Sequence, residues 1–257
     1  MLVGADGIDS MVRRTLWGES PKREHNLQIF GGFTFADIDA EIGRCIVAHT
    51  DTVQGSWTGI RDQGRDGYQW WVLTAHPADE EFTLDWHETA LRLAAPFSGP
   101  LFRLIQATDP ASLQRWVIRD RKPIKQWSQG RVTLVGDAAH STSPYAAYGA
   151  GVATEDGYFL GRRLGGVELG DFAAVRDALQ AFEEPRKPHT RMQTQLAYAL
   201  GQVFHHAPAP LRPVRDAIFD HTPLLQKVIG ERSPGEIVSQ IAGIDRVEAD
   251  FRAAVTV

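Results

Sequence analysis

Arg131-Val132-Thr133-Leu134-Val135-Gly136-Asp137-Ala138-Ala139-His140-Ser141-Thr142-Ser143-Pro144 reads as a strand that stops at a glycine, with an aspartate at its carboxyl end and a loop of small residues behind it. The chain continues Tyr145-Ala146-Ala147-Tyr148-Gly149-Ala150-Gly151-Val152-Ala153-Thr154-Glu155-Asp156 and enters a helical pattern through Val152, Phe159, Leu160 and Leu164. Strand, loop, helix is an α/β unit, and in such folds ligands sit at the carboxyl ends of the strands. The first N–H groups of the helix have no partner within it, and with the helix dipole they favour negative charge by about 0.3–1 kcal/mol, up to about 2 when partly buried. Small residues at Ala138, Ala139, Gly149, Ala150 and Gly151 let a flat ligand with anionic or carbonyl groups approach the backbone closely.

The regions on either side have different textures. The chain opens on Leu2-Val3-Gly4-Ala5-Asp6-Gly7, a short apolar run that ends in a glycine-rich turn. From Leu27 to about Arg119 it is β-rich: Phe33 and Phe35 alternate with Thr34, Cys45 and Val47 flank Ile46, and Tyr68 to Leu73 is aromatic and β-branched. Gln63-Gly64-Arg65-Asp66-Gly67 predicts a hairpin turn. Trp86, Ala90, Leu93 and Phe97 predict one helix packed on that sheet. Further helices are expected through Val175, Leu179 and Phe182 and through Met192, Leu196, Leu200 and Val203, with Pro185 and Pro188 interrupting or kinking the path between them. The tail from Pro208 reads as short helices and turns.

Composition narrows the function classes. The 257 residues, 43% hydrophobic, suffice for a real core. No apolar run reaches the roughly 18 residues of a membrane span, and the opening lacks a signal-peptide pattern, so no membrane partner is expected. A net charge of -5 argues against a nucleic-acid partner, and the basic pairs Arg13-Arg14 and Arg162-Arg163 read as solvated faces. The single cysteine, Cys45, fits a reducing, cytoplasmic compartment. No catalytic base and no metal site is assigned. His140 reads as structural packing, His205-His206 as a surface pair, and Asp79-Glu80-Glu81 as a solvated turn. Glu155-Asp156 reads as a helix's first turn, where carboxylates complement the dipole. Trp70, Trp71 and Phe33 read as sheet core, with a substrate pocket as the alternative.

The stretch from Gly136 to Asp156 resembles the second FAD motif of the para-hydroxybenzoate-hydroxylase-like flavoprotein monooxygenases. The opening, Gly4-Ala5-Asp6-Gly7 followed by Ser10, Val12, Arg13 and Leu16, resembles their other internal motif. The match extends through Arg119-Asp120-Arg121, Pro123 and Trp127 and into the Arg186 to Pro188 region, so it covers most of the chain. The resemblance implies an α/β (α+β mixed) fold: an incomplete FAD-binding Rossmann-type module over residues 1–26 and 119–190, an inserted mixed β-sheet substrate domain over 27–118, and C-terminal helices over 191–257. It implies FAD as cofactor, NADPH or NADH as co-substrate, and oxygenation of a small aromatic or polyketide-like molecule. Gly136 and Asp137 would meet the ribityl-ribose part of FAD. Gly149, Ala150, Gly151 and Val152 would lie against the flavin pyrimidine edge, and Pro144 would line the place where oxygen reaches the substrate. Asp6, Gly7 and Arg13 would shape the cofactor and pyridine-nucleotide surface.

The sequence departs from that pattern in places. Ala147 stands where the family has the first glycine of its Gly-x-Gly loop, and Gly157 replaces a helical alanine at a cost of about 1 kcal/mol. No Gly-x-Gly-x-x-Gly loop precedes Gly4 to hold the ADP half of FAD, and Gly165-Gly166 with Gly170 has the wrong pattern to replace it. Losing two or three such contacts removes about 3–9 kcal/mol. The 257-residue chain by itself is therefore expected to hold FAD weakly. Two alternatives stand beside the monooxygenase reading: a flavin-free cyclase or ligand-binding module on the same scaffold, and a subunit paired with a separate Rossmann-type chain.

Overall fold

The computed structural model of the protein describes residues 1–38, 43–146, 148–227, 231 and 233–255. The departure at Ala147 lies outside them. In chain order the first elements are β1 (Leu2–Gly4), α1 (Met11–Trp17), β2 (Arg23–Thr34), β3 (Cys45–His49), β4 (Val53–Asp62), β5 (Arg65–Ala75), α2 (Trp86–Ala94) and α3 (Leu101–Gln106). Then come β6 (Gln114–Asp120), β7 (Ser128–Gln129), β8 (Val132–Leu134), α4 (Asp137–His140), α5 (Gly149–Leu164), α6 (Phe172–His206), α7 (Arg212–His221) and α8 (Ser233–Val255). Two compact units result. One comprises Met1–Pro21, Arg121–Ala197 and Ala209–Val257, the other Lys22–Asp120 and Tyr198–Pro208. The stretch 191–257 is divided between them.

In the first unit β1 lies parallel to β8, with Leu2, Val3 and Gly4 opposite Val132, Thr133 and Leu134, and β7 pairs antiparallel with β8 on its other side. Gly4 permits this packing, because a Cβ there would come within 2.7 Å of Leu134 and 2.9 Å of Val12 on α1. Helix α5 buries Val152, Phe159 and Leu160, which share one face at helical spacing. Phe159, Phe182, Trp127 and Leu179 form the centre of the core, each contributing roughly 1.5–3 kcal/mol by burial.

Of the two effects expected of Pro185 and Pro188, an interruption or a kink, helix α6 shows no interruption. Its 35 residues run through Pro185 and Pro188 as one helix. Each proline removes a backbone donor and crowds the carbonyl one turn earlier, but Phe182, Arg186 and His189 are buried, and their packing holds this segment helical. The tail is also more regular than expected, since α8 alone has 23 residues.

The second unit is built on a five-stranded sheet of order β3-β4-β5-β2-β6, antiparallel at every pairing. The β4–β5 hairpin turns on two residues, Gln63 and Gly64, at φ 46 and 84, with Asp62 opposite Arg65. That is the geometry of a tight primed turn, so the expected hairpin is present and Arg65 to Gly67 belong to the strand. Trp70 is core and donates from Nε1 to Thr108 Oγ1 at 2.8 Å. Trp71, on the opposite sheet face, is half-buried, and Phe33 is 47% exposed, so the core reading fails for Phe33. Two helices, α2 and α3, cover the sheet where one was expected, and they supply Ala90, Ala94, Leu101, Leu104 and Ile105 to its core.

The histidine pair at the end of α6 is not a surface feature as a whole. His205 is buried with Nδ1 2.7 Å from the Thr52 carbonyl, while the exposed His206 places Nε2 3.0 Å from the His25 carbonyl.

Gly157 lies exposed in α5, and among the described residues a Cβ there would meet no atom within 4 Å beyond its own chain neighbours and helix backbone. Gly157→Ala is expected to stabilise the protein by about 0.5–1 kcal/mol. A higher urea midpoint at unchanged slope is the check.

Candidate cofactor site

At the carboxyl ends of β1 and β8 the first unit opens into a cleft of about 690 Å³, lined by Ala5, Gly7, Val135, Gly136, Asp137, Thr142, Pro144, Gly149, Ala150 and Ala153. Six of these were singled out from the sequence: Gly7, Gly136, Asp137, Pro144, Gly149 and Ala150. Gly136 holds the turn out of β8 at φ 57, ψ −143, which only glycine adopts without strain, and it caps α4. The cleft's far wall is the start of α5, whose N-cap, Tyr148, makes no side-chain cap bond. Helix geometry leaves the N–H groups of Gly149, Ala150 and Gly151 without intrahelical acceptors. The Val152 N–H is bound to the Tyr148 carbonyl at 3.0 Å and Val152 is buried, so it adds no donor to the cleft.

Asp137 is exposed on the cleft lining. Although its side chain reaches solvent, crowding by the surrounding protein raises its carboxyl above the ordinary value, against His140 and the Thr142 N–H, which lower it. Asp6 has a different task. Its Oδ2 accepts from the Met11 and Val12 N–H groups at 2.7 and 3.1 Å, capping α1 together with Ser10, whose Oγ accepts from the Arg13 N–H at 2.9 Å. Burial raises the Asp6 carboxyl, but the Ser10 hydroxyl and these N–H groups outweigh it and hold the group below its usual range.

Arg13 is buried, which corrects its reading as part of a solvated face. It donates to the Ile8 carbonyl at 2.8 Å and the Ala138 carbonyl at 3.3 Å. Arg121 reaches the same Ile8 carbonyl at 2.8 Å, and Asp9 at 3.3 Å. The two arginines thus hold the loop that presents Gly7, though neither they nor Asp6 line the cleft.

Behind the cleft lies a buried ionic cluster. No acidic residue occupies the first turn of α5; Asp156 is fully buried further along, contrary to the dipole role read for it. Asp156 Oδ2 accepts from the Gly136 N–H at 2.8 Å and lies 2.6 Å from His140 Nε2, and Oδ1 accepts from Arg186 Nε at 2.9 Å. His140 also packs against Trp127, with ring centroids 5.1 Å apart. Arg186 donates to the Val152 carbonyl at 3.2 Å and pairs with Glu155 at 2.8 Å. Glu155 accepts from the Tyr148 hydroxyl and lies 3.3 Å from His189, whose Nδ1 is 2.8 Å from Glu236. Burial, then the Glu155 contact, pushes the Tyr148 hydroxyl up to about 12.

Ala5, Val135, Thr142 and Ala153 were not singled out from the sequence, nor was this cluster. Their pattern is weak, because small apolar residues are common and the charged partners are far apart in the chain. Among the described residues no group of three or more His, Cys, Asp and Glu side chains is arranged to hold a metal, and no helix is long and apolar enough to cross a membrane.

Parallel strands, a glycine turn, an aspartate and a helix N-terminus surround one cleft at the strand ends of an α/β unit, the place where ligands sit in such folds. The chain belongs to the FAD binding domain family, whose model matches residues 1–197. It is 32% identical over 219 residues to the 3-hydroxybenzoate 6-hydroxylase of Klebsiella oxytoca, covering 80% of this chain and 51% of that one. It is 32% identical to the chloroplastic zeaxanthin epoxidase of Solanum lycopersicum over 196 residues, covering 73% of this chain and 29% of that one. The structure of Klebsiella pneumoniae HpxO complexed with FAD and uric acid superimposes with a TM-score of 0.77 at 25% identity, over 93% of this chain and 60% of that one. The chain thus spans about half the length of the hydroxylase and less of the epoxidase.

The cluster sets a pH window for stability. For Asp156 and Glu155 burial raises the carboxyls, but their ion pairs and hydrogen bonds outweigh it and hold both below 3.8 and 4.5, so their stabilisation is present above that range and lost as pH falls through it. For His189 burial lowers the imidazole, but Glu155 and Glu236 outweigh it and hold it above 6.5, so its contribution is full below 6.5 and lost as pH rises through the elevated value. Melting temperature is expected to plateau between about pH 4.5 and 6.5, and His189→Gln should flatten its alkaline decline. An unchanged alkaline decline in the variant would contradict this assignment.

Proposed function

We propose that this chain forms the flavin-facing part of a cytoplasmic FAD-dependent monooxygenase that uses NADPH or NADH and O2 to hydroxylate a small aromatic or polyketide-like molecule. The observation that carries the proposal is the cleft itself, in which a strand-end aspartate and an uncapped helix N-terminus face one space bordered by glycines. Among the described residues, a Cβ on Gly7 or Gly149 would meet no atom within 4 Å beyond its own chain neighbours and helix backbone, so those two positions leave space that a flat ring system can take.

The residues fit the group. Asp137 would accept from a ribityl or ribose hydroxyl. The N–H groups of Gly149, Ala150 and Gly151 would face the pyrimidine edge and favour negative charge there. Pro144 would present an apolar wall on the substrate side, and Gly7 and Gly136 would allow close backbone approach. When bound, FAD supplies the redox chemistry, taking a hydride from the nicotinamide and activating O2. Overall, substrate C–H, O2, NAD(P)H and a proton give C–OH, water and NAD(P)+. The open edge of β1 leaves room for a further strand to carry contacts to the ADP half, from the same or a separate Rossmann-type chain.

Asp137→Ala is expected to weaken FAD binding by about 1.5–3 kcal/mol, the worth of one hydrogen bond to a charged group, while the melting temperature of the FAD-free protein stays unchanged. Flavin fluorescence titration and a thermal melt of both forms measure this. Parallel loss of affinity and stability would make Asp137 a loop tie and remove it from the site.

A further inference from the structure

The walls of the cleft come from different segments, Gly136-Asp137 on one side and Gly149-Ala150 on the other. Both are tied to one buried carboxylate. Asp156 receives the N–H of Gly136, the residue just before Asp137, and it also receives Arg186. The same guanidinium grips the Val152 carbonyl and Glu155, and Glu155 in turn holds the hydroxyl of Tyr148, the residue just before Gly149.

We infer that Asp156 and Arg186 are positioning residues: their ion pair is a two-sided clamp that sets the spacing between Asp137 and the helix amides to suit a flavin. The inference rests on the flavin reading of the cleft. The pair's chemistry supports a positioning role. Arg186 is fully buried, with Nε directed to Asp156 and Nη2 to the Val152 carbonyl and Glu155, and its guanidinium carbon also sits 5.1 Å from the Phe159 ring centroid. A core could be filled more cheaply with apolar side chains, since a buried pair gives up two hydration shells. What the ion pair adds is direction, because Asp156 fixes the Gly136 N–H and Arg186 fixes the Val152 carbonyl, one backbone atom on each of the two segments.

Asp156→Asn in the full chain tests this. Asparagine presents one oxygen acceptor where the Gly136 N–H and Arg186 converge on two, so one wall must lose its tie. In the FAD-free protein, amide exchange by NMR should quicken about tenfold or more at Ala138–His140 and at Val152–Ala153, while amides of β2, β4 and β5 stay protected. Loosening throughout the protein, or at neither wall, would overturn the clamp. Tyr148→Phe keeps its ring and removes only the hydroxyl, so it remains informative if Asp156→Asn does not fold. It should quicken exchange at Val152–Ala153 alone, and no change there would overturn the second half of the clamp.

FAD titration supplies the functional arm. Asp156→Asn should weaken FAD about tenfold in the otherwise native chain but less than about threefold when Asp137→Ala is already present, since one of the two groups whose spacing Asp156 sets is then gone. Equal weakening in both backgrounds would make Asp156 a purely structural residue. If FAD shows no saturable binding even at concentrations high enough to reveal the weak affinity expected of this chain by itself, the flavin reading falls, and the amide-exchange result alone decides whether the clamp exists.

Discussion

Everything at the site depends on a parallel pairing of three residues: Leu2, Val3 and Gly4 against Val132, Thr133 and Leu134. Sequence-distant segments meet there, and both leave the sheet at the same end. Parallel strands cannot be joined by a tight turn, and in this chain the whole second unit apart from Tyr198–Pro208 is threaded between them. The pairing therefore decides that Gly7 and Asp137 share a cleft. Gly4 is its steric requirement, because any side chain there would strike Leu134 and Val12.

Charge is distributed around that cleft in two layers. The inner layer is sparse and open to solvent: one aspartate on one wall and unpaired helix amides on the other. The layer behind is dense and closed, with Arg13 and Arg121 holding the Ile8 carbonyl and Arg186 bridging Asp156 and Glu155. Buried ion pairs gain little net stability against apolar packing, so their concentration behind a ligand-shaped space is best explained by the orientation they impose. Asp137 on the cleft wall reaches solvent, whereas Asp156 and Arg186 behind it are buried.

The sequence was informative where the signal is local. The strand ending at Gly136, the helix through Val152, Phe159 and Leu160, and the hairpin at Gln63-Gly64 all announce themselves within a few residues, because turn chemistry and side-chain period are short-range properties. Six of the cleft-lining residues were legible from motif positions. Asp156 was misread because its meaning lies in Gly136, His140 and Arg186, which only the fold brings together. Arg13 looked solvated beside Arg14 because sequence does not show which face of α1 packs inward. Pro185 and Pro188 misled for the opposite reason, since a strong local rule was overridden by the buried face that carries Phe182 and Arg186.

A flavin seated in the cleft at the carboxyl ends of β1 and β8 would lie beside the backbone amides of the residues that line it. Titrating FAD into isotope-labelled protein and following backbone amide signals tests this placement most directly. Binding there shifts Gly7, Asp137 and Gly149 to Gly151 together along one saturable curve, with Asp62 to Arg65 of the β4–β5 hairpin unmoved. Saturable shifts confined to the second unit, with the strand-end and α5 amides unchanged, would contradict it.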